Sequence, residues 1–181
     1  MGIEDTLVII KNPTIERGLI GKIIQKFEEV GLQIVGMKML KPNEGLARKH
    51  YQVDQEWKEK IGAKMILAFQ NEAEIENPFG TSDVASLGHQ VHEWIVAQLT
   101  DQPVIVMVLR GPGAVEKVKI IIGESEPVKA DLSTIRGSFS TDSYIRSCIE
   151  KRALNNVVHR ATSKEEAERE INVWFQKKIY K

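Results

Sequence analysis

The stretch Pro103-Val104-Ile105-Val106-Met107-Val108-Leu109 carries no charge and no hydrogen-bonding side chain. It is too short for a core helix and rich in β-branched residues, so it reads as a buried strand. Thr6 to Lys11 (TLVIIK) reads the same way and is stopped by Asn12-Pro13; Leu32 to Lys41 is a further strand, ended by Pro42-Asn43. Between these runs the period changes to that of helices. Gly18 to Glu29 places Leu19, Ile20, Ile23, Ile24 and Phe27 on one face, with Gly31 where a C-terminal cap belongs. A polar helical piece passes through Ala47, His50 and Tyr51. Trp57 to Phe69 is a helix with Trp57, Ile61, Met65 and Ala68 roughly in line, and Leu87 to Leu99 is another, with Leu87, Val91, Ile95 and Leu99 in step.

The remaining segments are shorter. Asn71 to Asp83 has the Asn, Pro and Gly content of a loop. Ala114 to Ile122 is a short helix closed by Gly123, Glu124 to Phe139 is an irregular loop, and Tyr144 to Leu154 is helical. Val157-Val158 is a last strand. Ser163 and Glu166 fit a capping box that opens a final helix, with Ala167, Ile171, Trp174 and Phe175 on its apolar face. The order predicts an α+β chain of ferredoxin-like, split βαβ type: a four-stranded antiparallel sheet with helices on one face, plus added helices.

Composition narrows the class. A chain of 181 residues with 42% hydrophobic and 28% charged residues has the make-up of one globular domain with a sizeable core. Lys plus Arg and Asp plus Glu are 25 each, so no overall charge draws it to nucleic acid or a lipid surface, and any basic site is local. The single cysteine, Cys148, excludes an internal disulfide framework. No apolar run approaches membrane-spanning length, and MGIEDTLVII shows no secretory signal. The expectation is one cytoplasmic domain over residues 1–181, with no membrane and no specific nucleic acid as partner.

His159 stands between the last strand and the last helix, near exposed helical N–H groups, a place that suits an anion. A loop histidine without a task is the bland alternative, and position alone favours it. Other strings decide. "TLVIIKNPTIERGLIGKIIQKFEEVGLQIVGMKML", "PVIVMVLRGPGAV", "IIIGESEP", "STIRGSF", "NNVVH" and "EEAEREINVWF" follow one another in the order found in the nucleoside diphosphate kinases, which this chain resembles from Thr6 to Phe175. Each string alone is weak; six in order are strong.

The resemblance implies an activity and its residues. His159 matches the histidine that takes the γ-phosphoryl group of a nucleoside triphosphate and passes it to a nucleoside diphosphate in a ping-pong mechanism, with Mg²⁺ on the phosphates of ATP or another triphosphate. A neutral imidazole suits that task, since one ring nitrogen keeps a lone pair without a base. Glu170 matches the orienting glutamate, and it lies on the apolar stripe of the last helix, where a carboxylate needs a partner unless it snorkels to water. Lys11, Lys119 and Arg136 match phosphate-binding cations, Ser125 the hydroxyl of the Gly-Glu-Thr loop, Tyr51 a tyrosine near the histidine, and Asn156 an asparagine of the ribose and phosphate region. Lys119 stands where the family has arginine, so the charge is kept and the bidentate fork lost. The resemblance also implies a homo-oligomer, a dimer-based tetramer or hexamer.

Three departures bear on this reading. The Lys-Pro-Asp-Gly turn is replaced by Lys11-Asn12-Pro13-Thr14. After the histidine come Arg160-Ala161-Thr162, so a supporting serine hydroxyl is missing at Ala161, with Thr162 or Ser163 as substitutes. Arg160 either aids phosphate binding, depresses the imidazolium fraction, or points to solvent. Third, the middle is enlarged by an insertion at about 65–100 and a second extension at about 140–155, and the base clamp does not align; Trp57 and Ile61 are its candidates. His89, His92 and Glu93 could hold a metal, but a solvated helix face outweighs that without a further ligand. The competing class is a nucleotide-binding or regulatory protein with weakened transfer, which would have no use for a histidine oriented by a glutamate.

Overall fold

The computed structural model describes residues 2–70 and 82–175. Four strands form one sheet in the order β2-β3-β1-β4: β1 Ile3–Ile10, β2 Gln33–Leu40, β3 Val104–Pro112 and β4 Val158–Arg160. Neighbours are antiparallel throughout, with Leu7 opposite Val108 and Ile9 opposite His159. This is the ferredoxin-like sheet. The two inner strands, β1 and β3, are the two unbroken apolar runs, as burial on both faces requires.

Alternation along the strands divides the core. Val8, Ile10, Met107 and Leu109 face α2 (Ile20–Glu28) and α6 (Ala114–Ile122), meeting Ile23, Phe27, Val118 and Ile122. Leu7, Ile9, Val106 and Val108 face the other way, against α3 (Glu44–His50), α5 (Val84–Asp101) and α9 (Lys164–Phe175). The two crossover helices take one face, and the added helix α5 joins α3 and α9 on the other. Phe27 is fully buried, so Phe27→Ala costs about 3–5 kcal/mol.

A third cluster joins the two segments that depart from the family pattern. Met65 and Phe69 of α4 (Gln55–Gln70), Val91 of α5 and Cys148 of α8 (Tyr144–Ile149) are its centre, with Cys148 Sγ 3.2 Å from Met65 Sδ. α4 and α5 touch backbone to backbone. A Cβ at Gly62 would collide with the Val84 carbonyl, and one at Gly88 with the Lys58 carbonyl, so only glycine permits this approach.

Local differences from the expected elements have physical reasons. Asn12-Pro13 does not break the chain into a loop: Asn12–Glu16 is a one-turn helix, α1, with its proline in the first turn, where no N–H is needed. The stretch Glu124–Phe139 is more ordered than an irregular loop, with a 3₁₀ turn at Pro127–Lys129 and helix α7 at Ile135–Phe139, whose cap Thr134 accepts from Gly137 N–H. The loop expected over 71–83 lies outside the described residues except for Ser82 and Asp83, and Asp83 caps α5. The capping box forms by half. Ser163 Oγ accepts from Glu166 N–H at 3.2 Å, while the Glu166 carboxylate reaches Thr162 N–H at 2.6 Å rather than the cap residue's own N–H.

No helix of the described residues is long and apolar enough to cross a membrane.

Candidate active site

β1 holds the strand that carries His159 at both ends. Lys11 N–H donates to Val157 O at 3.0 Å and Ala161 N–H to Leu7 O at 3.3 Å. Just before the strand, Val158 N–H donates to Asn156 O at 2.7 Å across Val157, whose φ is 69°. That is a three-residue γ-turn with a β-branched residue in the left-handed region, a strained geometry that persists only where surroundings impose it. Arg136 helps impose it. Its guanidinium, 4% exposed, donates to Asn156 O, Val158 O and Gly123 O at 3.1, 2.9 and 3.0 Å. Val157 is therefore a turn residue, not the strand residue that its branching suggested.

The strand turns His159 toward α9. Its Nε2 lies 3.0 and 3.1 Å from the two carboxylate oxygens of Glu170, which is 1% exposed. In its ionised form this carboxylate only accepts, which puts the proton on Nε2 and leaves the lone pair on Nδ1. The His159 side chain keeps 15% of its surface open, enough for a reacting group to approach. Burial, and next the charge of Lys11, hold the His159 imidazolium well below its ordinary 6.5. Burial pushes Glu170 up to about 8, opposed by His50 and then by Arg169, whose Nη2 lies 3.6 Å away and favours the ionised form. The ring is neutral at pH 7 and oriented.

Behind this pair stands a residue that the sequence reading passed over. His50 is fully buried at the end of α3, its ring 4.4 Å from that of His159 and edge-on to it. Trp174 Nε1 donates to His50 Nδ1 at 3.1 Å, and burial pushes His50 down to about 3, so it is a neutral acceptor. Arg169 ties α9 to the His50 carbonyl at 2.9 Å. The available sequence signal was the spacing from Ala47, one helical turn earlier on the buried side. Tyr51 follows, its ring 5.5 Å from that of His159 and edge-on. Burial raises its phenol. His92 does not lie on a solvated face: its Nε2 contacts the Tyr51 carbonyl at 3.0 Å, while Glu93 is held by both arms of Arg48 at 2.9 and 2.7 Å.

Lys11 is 6% exposed, with Nζ donating to Asn156 Oδ1 at 2.8 Å and to Gln98 Oε1 at 3.0 Å. Burial, then the charge of Arg136, lowers it to about 7. Gln98 was also missed; it sits on α5 one residue before the buried Leu99. A cavity of about 430 Å³ takes Lys11, Ser125 and Asn156 into its wall, together with Trp57 and Ile61 of α4 and Tyr144 of the second extension. Lys60 and Lys64 add charge at its edge. His159, Arg136 and Lys119 do not line this cavity, though Lys11 and Glu166, whose charges act on His159, do. Lys119 is half exposed and turned to Glu116 at 3.2 Å. Ala161 is buried against Val115 and Ala167, and the Thr162 hydroxyl is spent on Glu166. A larger hollow of about 620 Å³ beside α9 is lined by the closed pairs Asp5–Arg110 and Glu4–Lys164 with Ile3, Glu168, Ile171 and Asn172, and holds none of the residues named for transfer.

Known proteins share this arrangement of chain. The family described as nucleoside diphosphate kinase matches residues 4–73 and 84–179. A nucleoside diphosphate kinase of Pyrobaculum aerophilum is 38% identical over 177 residues, 97% of each chain. One from Pyrococcus abyssi is 39% identical over 96% of this chain and 84% of its own. The crystal structure of the Pyrobaculum aerophilum NDP kinase superposes with a TM-score of 0.93 at 37% identity, covering 99% of both chains. A Borrelia burgdorferi nucleoside-diphosphate kinase, solved as a transition state mimic with vanadate and ADP, superposes at 0.77 with 30% identity, covering 99% of this chain and 90% of its own. Matched by the family over most of its length and by these relatives over nearly all of it, the chain belongs to the nucleoside diphosphate kinase family of phosphotransferases.

Proposed function

We propose that this nucleoside diphosphate kinase works through His159, as a two-step transfer from nucleoside triphosphate to nucleoside diphosphate. In the first step the Nδ1 lone pair attacks the γ-phosphorus; a P–N bond forms, the bond to the bridging oxygen breaks, and the diphosphate leaves. In the second, a terminal oxygen of the acceptor diphosphate attacks phosphorus and the P–N bond breaks. The observation that carries this reading is the bond from His159 Nε2 to the buried Glu170 carboxylate, which leaves Nδ1 as the free base.

The other roles follow from charge and position. Glu170 holds the ring and offsets the charge that it gains as the P–N bond forms. Lys11 meets the transferring phosphoryl oxygens, and Tyr51 backs the ring beside it. Arg136 fixes the γ-turn and adds positive potential. Asn156 and Ser125 contact ribose and phosphate, and Lys119 lends charge from the neighbouring helix. Trp57, Ile61 and Tyr144 hold the base, with the two added segments as parts of one domain. The metal arrives on the substrate as Mg²⁺ bound to phosphate oxygens. A hard cation prefers oxygen ligands, and in the group His50, His159 and Glu170 only Glu170 offers oxygen. A cytoplasmic homo-oligomer, a dimer-based tetramer or hexamer, is the expected form. The unpaired edge of β2, with Met37 and Met39 more than half exposed, supports association.

The test is label transfer. Protein incubated with γ-labelled ATP and Mg²⁺, then freed of nucleotide, acquires acid-labile, base-stable label, and a second nucleoside diphosphate removes it as triphosphate. Nucleotide binding without label would leave a binder on this fold.

A further inference from the structure

Arg160 follows the nucleophile on β4, and strand alternation sends the two side chains to opposite faces. His159 lies opposite Ile9 and turns to α9; Arg160 lies opposite Val8, on the α6 side. There it shares a cavity of about 350 Å³ with Lys119, Gly123, Glu124, Asp131 and Thr134, the Asp131 carboxylate being turned to Ser133. Gly123 is the residue whose carbonyl Arg136 holds, so this cavity borders the strand's own clamp.

The guanidinium of Arg160 is nearly unused. Its one hydrogen bond is a long one, 3.3 Å from Nη1 to the Ala161 carbonyl, and its Nε is buried without a partner. No carboxylate lies within ion-pair distance of it among the described residues. Of the acidic neighbours whose charge reaches it, Glu116 is held by Lys119 at 3.2 Å and Glu166 by Thr162 N–H at 2.6 Å, while Glu124 lines the same cavity beyond ion-pair distance. Other partly buried arginines spend their forks, Arg110 on Asp5 at 2.7 Å and Arg152 on Asp142 at 2.6 and 2.9 Å. A buried donor left unbonded is costly, and a fork of parallel N–H groups matches an oxyanion with two free oxygens. The charge of Arg160 already reaches both His159 and Arg136.

We propose that Arg160 is a phosphate-binding residue of this enzyme, gripping the nucleotide's polyphosphate from the α6 side with the planar fork that Lys119 lacks. The inference rests on the transfer reading above. Lys119 supplies a point charge, and Arg160 restores the bidentate geometry from the neighbouring strand.

The experiment uses full-length Arg160→Gln, Arg160→Lys and the double variant Arg160→Gln with Lys119→Arg, each checked by thermal melting. Steady-state kinetics with Mg·ATP and a nucleoside diphosphate acceptor are measured beside calorimetric affinity for ADP. Arg160→Gln is expected to lower kcat/KM on the order of 10- to 100-fold and to weaken ADP in parallel, as loss of a charged phosphate contact should. Arg160→Lys recovers only part of that loss, whereas Lys119→Arg in the Gln background restores most of it. Arg160→Gln within twofold of the parent in both measurements overturns the proposal, and Arg160→Lys equal to the parent overturns the fork. If the parent protein forms no phosphoenzyme, the transfer reading fails by itself; ADP affinity in the same variants still decides whether Arg160 grips phosphate.

Discussion

The two ends of the candidate site are built on different principles. At the sheet end, polar groups are locked to one another and to backbone: His159 to Glu170, Lys11 to Asn156 and Gln98, and Arg136 to three carbonyls. At the other end, α4, α5 and α8 meet through apolar contacts, with Met65, Phe69, Val91 and Cys148 as a separate small core. Position at the first end is set by directional bonds in a low-dielectric setting, where a displaced atom costs transfer. At the second it is set by contact area, which tolerates exchange of side chains. Changes at the sheet end should therefore act on the transfer step, and changes in the helical wall on affinity.

The largest expected effect is His159→Ala. Phosphoenzyme formation falls to background while the melting temperature stays within a few degrees, read by labelling and thermal denaturation. Label surviving in this variant would place the nucleophile elsewhere. Next, Glu170→Gln keeps the shape and removes the ionisable group. We expect transfer slower by on the order of 10²-fold with nucleotide affinity kept, in the range of catalytic groups of this kind. An unchanged single-turnover rate removes its orienting role. A smaller effect belongs to the wall: Trp57→Ala or Tyr144→Ala should raise KM by about tenfold and leave kcat within a factor of two, as loss of uniform binding does. A fall in kcat alone would erase the division between the two ends.

The smallest effect is one of pH. Lys11, lowered to about 7 in the free protein, regains its charge when polyphosphate binds, so nucleotide binding takes up protons above that pH. Affinity then falls as pH rises through and beyond 7, and calorimetry in buffers of different ionisation enthalpy reads the uptake. The His159 imidazolium, held below 6.5, has the opposite placement: the neutral ring persists into acid, and labelling is lost only as pH falls well below that value. Proton release on nucleotide binding at pH 8 would contradict the Lys11 account.

The division also explains what could be read from sequence. Apolar periodicity placed α6 and the three long strands to within a few residues, because burial on a sheet face enforces it. Glu170 was visible as a charge in an apolar stripe, and the structure gives it a nitrogen to hold. The γ-turn at Val157 was not visible: its branching argues for a strand, and the strain is imposed by Arg136 and by Lys11 N–H, distant in sequence. His50 and Gln98 were missed for the same reason, since each acts through a partner more than 80 residues away. The backbone contact between α4 and α5 is likewise tertiary, and Gly62 and Gly88 signalled it only as glycines within helices.

The nitrogen that carries phosphate tests the central claim most directly. In protein labelled with ¹⁵N-histidine and trapped as the phosphoenzyme, ³¹P–¹⁵N coupling identifies the bonded ring atom. The Glu170 contact predicts phosphorus on Nδ1 of His159, with Nε2 still protonated and facing the carboxylate. Phosphorus on Nε2, or on any other residue, would contradict the account.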